Sequence, residues 1–213
     1  MCEYVSCDDC HLNICIKCYT PECYTNNKKD KKHQFCLECG QKIVCHFKKI
    51  CAKCDLPLHY ITDKVAVGSC GAEYNDFSLI FNLNYPENDA SFGKIVYTQR
   101  HHGWGWNETK HSCYVIGMRD SNTPEDLETL RKVIHLIPNI DPRNNILFHC
   151  FSGYSRSVAV ATAYIAFHYN KTVEEALEMI SSKRKYVGPN KAFIDMIREE
   201  IETMRRIEKD KKE

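Results

Sequence analysis

An α/β layered domain preceded by a small cysteine-rich module is the fold class the sequence predicts. Three observations carry that expectation. From residue 61 onward, short apolar runs alternate with stretches of helical periodicity, as strands interleaved with helices do. Residues 1–60 hold neither period over a useful length. Eleven of the 14 cysteines fall between Cys2 and Cys54.

Apolar runs predict strands at Val65–Val67, Leu79–Leu83, Ile95–Tyr97, Tyr114–Ile116 and Ile146–Phe148. One helical stripe runs through Leu127, Leu130, Ile134 and Ile137, a second through Val173, Leu177 and Ile180. A third runs through Phe193, Ile197, Ile201 and Met204. Ser157–His168 is apolar nearly all round, which puts that helix in the core. Thr123, followed by Pro124 and Asp126, reads as an N-cap with proline at the first helical position. Thr172 with Glu175 reads as a capping box. The charged end from Arg205 is expected to fray. Gln99–Ser112, with two Trp and three His among glycines, reads as a surface loop whose Trp side chains pack onto the domain.

The 213 residues suit one ordinary domain, 61–208, and a small one, 1–60. With 29 Lys and Arg against 28 Asp and Glu, no global field draws the chain to nucleic acid or a membrane surface. The longest apolar run, Val158–Phe167, is about half of the ~20 residues a membrane span needs. The first ten residues are polar, unlike a secretory signal. A soluble, cytoplasmic protein is expected, with the nucleus as the alternative because Lys28–Lys32 is a weak basic run.

The segment Ile146-Leu-Phe-His-Cys-Phe-Ser-Gly-Tyr-Ser-Arg-Ser157 carries the chemistry. A buried strand ends at His149 and a long apolar helix starts near Arg156, so the loop between them faces a helix N-terminus. There, backbone N–H groups and the helix dipole favour an anion. The candidate phosphate-binding residues are Phe151, Ser152, Gly153, Tyr154, Ser155 and Arg156. Gly153 permits a tight turn, and the Arg156 fork matches two phosphate oxygens. Such positive surroundings favour a thiolate, which makes Cys150 the candidate nucleophile. His149 is expected to hold the loop by hydrogen bonds. Ser157 is assigned to easing departure of the thiolate.

His149-Cys150-x5-Arg156-Ser157 resembles the signature of protein tyrosine phosphatases, and Gly153, Ser155, Arg156 and Ser157 resemble its dual-specificity branch. Ile61–Gly68 is similar to that family's opening strand, and Arg184–Phe193 to its late element with Pro-Asn. The resemblance covers residues 61–204. It implies a central mixed sheet flanked by helices and a shallow site for phosphotyrosine, phosphoserine or phosphothreonine. It also implies an acid on a loop about thirty residues before the cysteine, which Asp120 matches, following Tyr114-Val-Ile-Gly-Met-Arg. That acid protonates the departing oxygen and then activates water. Asp126 is the rival, though it occupies the third helical position after Thr123; Asp141 reads as an Asp-Pro turn. Arg119, beside Asp120, either holds substrate or faces solvent.

The loop interior carries no Lys or Arg before Arg156, which disfavours a phosphoinositide. A phosphorylated protein is the expected substrate, through a phosphocysteine intermediate and with no catalytic cofactor. Two alternatives stay open: a phosphoprotein-binding module of the same fold, and an RNA 5′-phosphatase. Residues 1–60 hold nine Lys against seven acids, a modest excess that makes a nucleic-acid partner a poor expectation.

The cysteine-rich module contains Cys7-x2-Cys10, Cys15-x2-Cys18, Cys36-x2-Cys39 and Cys51-x2-Cys54. Each pair offers two thiolates in the tight turn that tetrahedral zinc takes. With no apolar core, structural zinc would supply the folding free energy, about 10–16 kcal/mol. Cys36, Cys39, Cys51 and Cys54 resemble a zinc ribbon, and the first two pairs would make another site. A cross-braced arrangement with His33 or His59 as a fourth ligand is equally open. Such closed sites are structural, and the module is expected to recruit a protein partner or substrate.

Overall fold

The computed structural model describes residues 4–6, 13–15, 34–35, 42–43, 58–70, 72, 76–83, 93–102 and 109–210. The chain divides into two compact units, Met1–Leu56 and Pro57–Glu213. In the first, β1 (Tyr4–Ser6) pairs antiparallel with β2 (Asn13–Cys15), and β3 (Gln34–Phe35) with β4 (Lys42–Ile43).

The second unit is built on six strands. They are β5 (Leu58–Tyr60), β6 (Val65–Gly68), β7 (Leu79–Asn82), β8 (Ile95–His102), β9 (Thr109–Ile116) and β10 (Ile146–His149). Their order is β5-β6-β10-β7-β9-β8. The four inner strands run parallel, while β5 and β8 close the edges antiparallel, so the sheet is mixed as the resemblance implied. Because β5 already pairs with β6, the sheet unit starts ahead of the boundary expected at residue 60.

Parallel inner strands are buried on both faces, which is why they read as continuous apolar runs. Val65, Val67, Leu79, Phe81, Ile146 and Phe148 face one core with the described helices. The alternate residues Ala66, Ile80 and Leu147 join Phe77, Cys113 and Val115 in a smaller cluster, as the period of two requires.

The described α-helices are α1 (Pro124–Leu136), α2 (Arg156–His168), α3 (Val173–Lys183) and α4 (Lys191–Asp210), with a 3-10 turn at Ile137–Asn139. In α1 the Thr123 side chain accepts from the Asp126 N–H, and in α3 Thr172 and Glu175 close both bonds of a capping box. Every α2 residue from Ser157 to Ala166 is buried. In α4 the buried residues are Phe193, Ile197, Ile201 and Met204, the stripe read from the sequence.

Two expectations are corrected. The chain from Arg205 stays helical to Asp210; Arg205 Nη2 donates to the carbonyls of Ala166 at 2.7 Å and Lys171 at 2.6 Å, tying the end of α2 to α4. Gln99–Ser112 is not a loop throughout, because β8 and β9 stay paired out to His102↔Thr109. An antiparallel ladder is satisfied by backbone groups whatever the side chains are, so polar residues continue strands whose apolar part ends near the core. The two Trp lie outside the described residues.

Candidate active site

β10 delivers His149 and Cys150 to the C-terminal edge of the parallel strands, and α2 begins six residues later at Arg156. Cys150 is 1% exposed, at the base of the loop. Its N–H donates to the Gly68 carbonyl at 3.4 Å. Its Sγ receives the Gly153 N–H at 3.3 Å and lies 3.3 Å from Ser157 Oγ.

Four consecutive loop carbonyls are tied to donors outside the loop. Phe151 O accepts from Cys70 N–H at 3.1 Å, and Tyr154 O from Gly188 N–H at 3.0 Å. Between them, Ser152 O accepts from Arg184 Nη2 at 3.4 Å and Gly153 O from Arg184 Nε at 2.9 Å. In a planar trans peptide the C=O and N–H point opposite ways. Carbonyls held outward therefore turn the following N–H groups inward, which makes a nest for an anion. Gly153 takes φ +69°, and a Cβ there would lie 2.7 Å from the Gly68 carbonyl oxygen.

Arg156 completes the nest. Its Nη1 donates to the carbonyls of Leu83 at 2.8 Å and Met118 at 3.0 Å, at the ends of β7 and β9. Its Nε is buried without a hydrogen-bond partner among the described residues. A guanidinium N–H left so is costly unless something accepts from it, and a phosphate oxygen would. Ser155, the N-cap of α2, makes no side-chain cap bond, so its hydroxyl does not take the helix's first N–H groups.

Instead, Ser155 Oγ donates to Asp120 Oδ1 at 2.7 Å and accepts from Asn190 N–H at 2.9 Å. Asp120 is thereby brought to the loop. Asp126 is not: it is buried and accepts from Arg119 N–H at 2.8 Å, Arg119 Nε at 3.2 Å, Thr123 Oγ1 at 2.7 Å and Ser121 Oγ. Burial works against its ionisation, but the bonds from Ser121, Arg119 and Thr123 and the Arg119 charge outweigh it, holding the carboxyl below its ordinary range. Arg119 thus serves Asp126, an outcome the sequence did not separate from substrate or solvent contact. Asp141 pairs with Arg143, as a turn residue would.

His149 is buried, and desolvation drops its imidazole to about 4, a hydrogen bond to the Cys150 backbone only partly opposing this. It is neutral near pH 7 and hydrogen-bonds to the backbone of the neighbouring Cys150.

His59, one of the candidate zinc ligands, sits in β5, where its Nδ1 lies 2.7 Å from Arg184 Nη1. Arg can only donate, so Nδ1 accepts and that lone pair is committed to Arg184 rather than to a metal. His33 and the side chains of Cys7, Cys10, Cys15, Cys18, Cys36, Cys39, Cys51 and Cys54 lie outside the described residues. Arg184 was missed as a site residue, although it opens the late element; its one local signal is an arginine just ahead of the Gly188-Pro189-Asn190 run.

Buried Cys150, the inward-turned N–H groups of its loop, Arg156 and the nearby Asp120 carboxylate together form a candidate anion site at the C-terminal edge of the parallel strands. The chain belongs to the dual specificity phosphatase family, whose catalytic domain matches residues 60–202. Tyrosine-protein phosphatase yvh1 of Schizosaccharomyces pombe is 33% identical over 84 residues, 39% of this chain and 26% of that protein. Dual specificity protein phosphatase 1 of Arabidopsis thaliana is 38% identical over 55 residues, 26% of this chain and 28% of that one. The match thus spans less than a third of either relative. The crystal structure of human DUSP28 superposes with a TM-score of 0.51 at 19% identity, covering 70% of this chain and 95% of that one, a likeness of fold.

Proposed function

We propose that this protein hydrolyses phosphotyrosine and phosphoserine or phosphothreonine in proteins through a phosphocysteine intermediate. The run of four outward-tied carbonyls around Cys150 carries this reading, because it turns the loop's N–H groups inward, where with the buried Arg156 Nε they offer donors that suit a dianion. In the first step Cys150 Sγ attacks phosphorus, the bond to the Tyr, Ser or Thr oxygen breaks, and Asp120 protonates that oxygen. In the second, the Asp120 carboxylate takes a proton from water, the oxygen attacks phosphorus, and the P–S bond breaks. Ser157 Oγ, 3.3 Å from Sγ, donates to the departing thiolate. The absence of Lys and Arg between Cys150 and Arg156 supports a single-phosphate protein substrate over a phosphoinositide.

Hydrolysis of a small aryl phosphate by wild type and Cys150→Ser tests this. Turnover in the wild type that drops to background in Cys150→Ser is expected. A folded wild type with no turnover would overturn it in favour of phosphoprotein capture.

The first unit is proposed to bind structural zinc and to recruit a protein partner or substrate in a reducing, cytoplasmic setting. The residues joining β1 to β2, 7–12, include Cys7 and Cys10, and those joining β3 to β4, 36–41, include Cys36 and Cys39. Cys-x2-Cys thiolate pairs suit tetrahedral zinc. Metal analysis of purified protein should find at least one zinc per chain, and a metal-free folded first unit would overturn the assignment.

A further inference from the structure

Arg184 is fully buried, which a guanidinium tolerates only when its donors are satisfied. Two of its nitrogens are spent on the phosphate-binding loop, Nε on Gly153 O and Nη2 on Ser152 O. The peptide joining Ser152 to Gly153 therefore has its oxygen on Arg184 and its N–H on Cys150 Sγ, at 3.3 Å. The next peptide has its oxygen on Arg184 as well, which turns the Tyr154 N–H toward the anion side. Arg184 thus sets the direction of two N–H groups without reaching the reacting atoms.

The third nitrogen, Nη1, is held by His59 Nδ1 at 2.7 Å, across 125 residues of sequence. His59 lies on β5, an edge strand that starts within two residues of the Leu56/Pro57 division. Gly153 makes the arrangement possible, since a Cβ there would stand 2.9 Å from Arg184 Nη2.

We propose that His59 and Arg184 are a positioning pair for the phosphate-binding loop. Oxyanion affinity and turnover then depend on the hydrogen bond between them. The kinetic part rests on the phosphatase reading; the binding part does not.

The test measures inorganic tungstate binding by calorimetry and kcat/KM on an aryl phosphate, with thermal unfolding as a fold control. It uses His59→Ala, His59→Asn, Arg184→Lys and the double variant His59→Ala/Arg184→Lys. His59→Ala should weaken tungstate binding about tenfold, the loss of one hydrogen bond to a charged group. His59→Asn, whose amide oxygen can accept near the same place, should restore it. Arg184→Lys should lower kcat/KM about a hundredfold, as displaced groups near a reacting centre do. The double variant should be no worse than Arg184→Lys alone, because both act through one contact. Wild-type tungstate affinity in folded His59→Ala, or losses that multiply in the double variant, would overturn the pair. A wild type that binds tungstate with these dependences but turns nothing over would sink the phosphatase reading and leave the pair standing.

Discussion

Ser155 Oγ donates its one hydrogen to Asp120 Oδ1 at 2.7 Å and accepts from the Asn190 N–H at 2.9 Å. One hydroxyl thus links the Cys150–Arg156 loop, the loop after β9 and the turn before α4. Ser155→Ala should free the Asp120 side chain and lower kcat about tenfold, the cost of a poorly placed acid. The drop should be larger for phenyl phosphate than for p-nitrophenyl phosphate, whose leaving group needs less protonation. Equal losses on both would detach Ser155 from acid catalysis.

Asp120 and Asp126 are separated by six positions and by their hydrogen-bond partners. Asp120→Asn should reduce kcat about a hundredfold or more and flatten the alkaline arm of the pH–rate profile. Asp126→Asn should keep that arm while removing about 2 kcal/mol of stability, since three side chains and a backbone N–H lose a charged acceptor. Rate profiles beside urea unfolding curves of both variants distinguish the two.

His149 makes stability depend on pH. Folded, its imidazole titrates at about 4; unfolded, near its ordinary 6.5. Between those values the unfolded chain binds the extra proton, so stability rises with pH across that window and is lost as pH falls. Urea unfolding at pH 7.5 and pH 5 should differ by about 2 kcal/mol from this residue, and His149→Asn should remove that part of the slope. A slope unchanged in His149→Asn would place the acid sensitivity elsewhere.

Gly153→Ala combines a positive φ with contacts at 2.7 Å to Gly68 O and 2.9 Å to Arg184 Nη2. The strain should cost about 1–3 kcal/mol and displace the N–H that points at Cys150. Aryl phosphate turnover should fall more steeply than thermal stability. Near wild-type turnover would show that the loop relaxes without harm.

The local pieces were legible because their cause is local. The strand into Cys150, the six-residue step to Arg156 and the buried run of α2 occupy one continuous segment, so their spacing is itself the signal. Thr123 and Thr172 announced their helices because a capping hydroxyl meets an N–H three residues on. The resemblance to dual-specificity phosphatases drew Asp120 to the site. The length of β8 and β9 was not legible, since backbone pairing past the core does not need apolar alternation.

By itself, then, the sequence determined the strand–loop–helix that carries Cys150 and Arg156 and the stripes that bury α1, α3 and α4. Only the tertiary structure decided which side chains hold that loop in shape. Ser155 meets Asp120 across 35 residues, Arg184 meets Gly153 across 31, and His59 meets Arg184 across 125. Contacts over such separations have no fixed spacing. They exist because sheet order brings β5, β6 and β10 side by side and carries the turn before α4 back to the loop. The direction of each loop N–H follows from which distant donor claims the carbonyl behind it, and folding alone settles that.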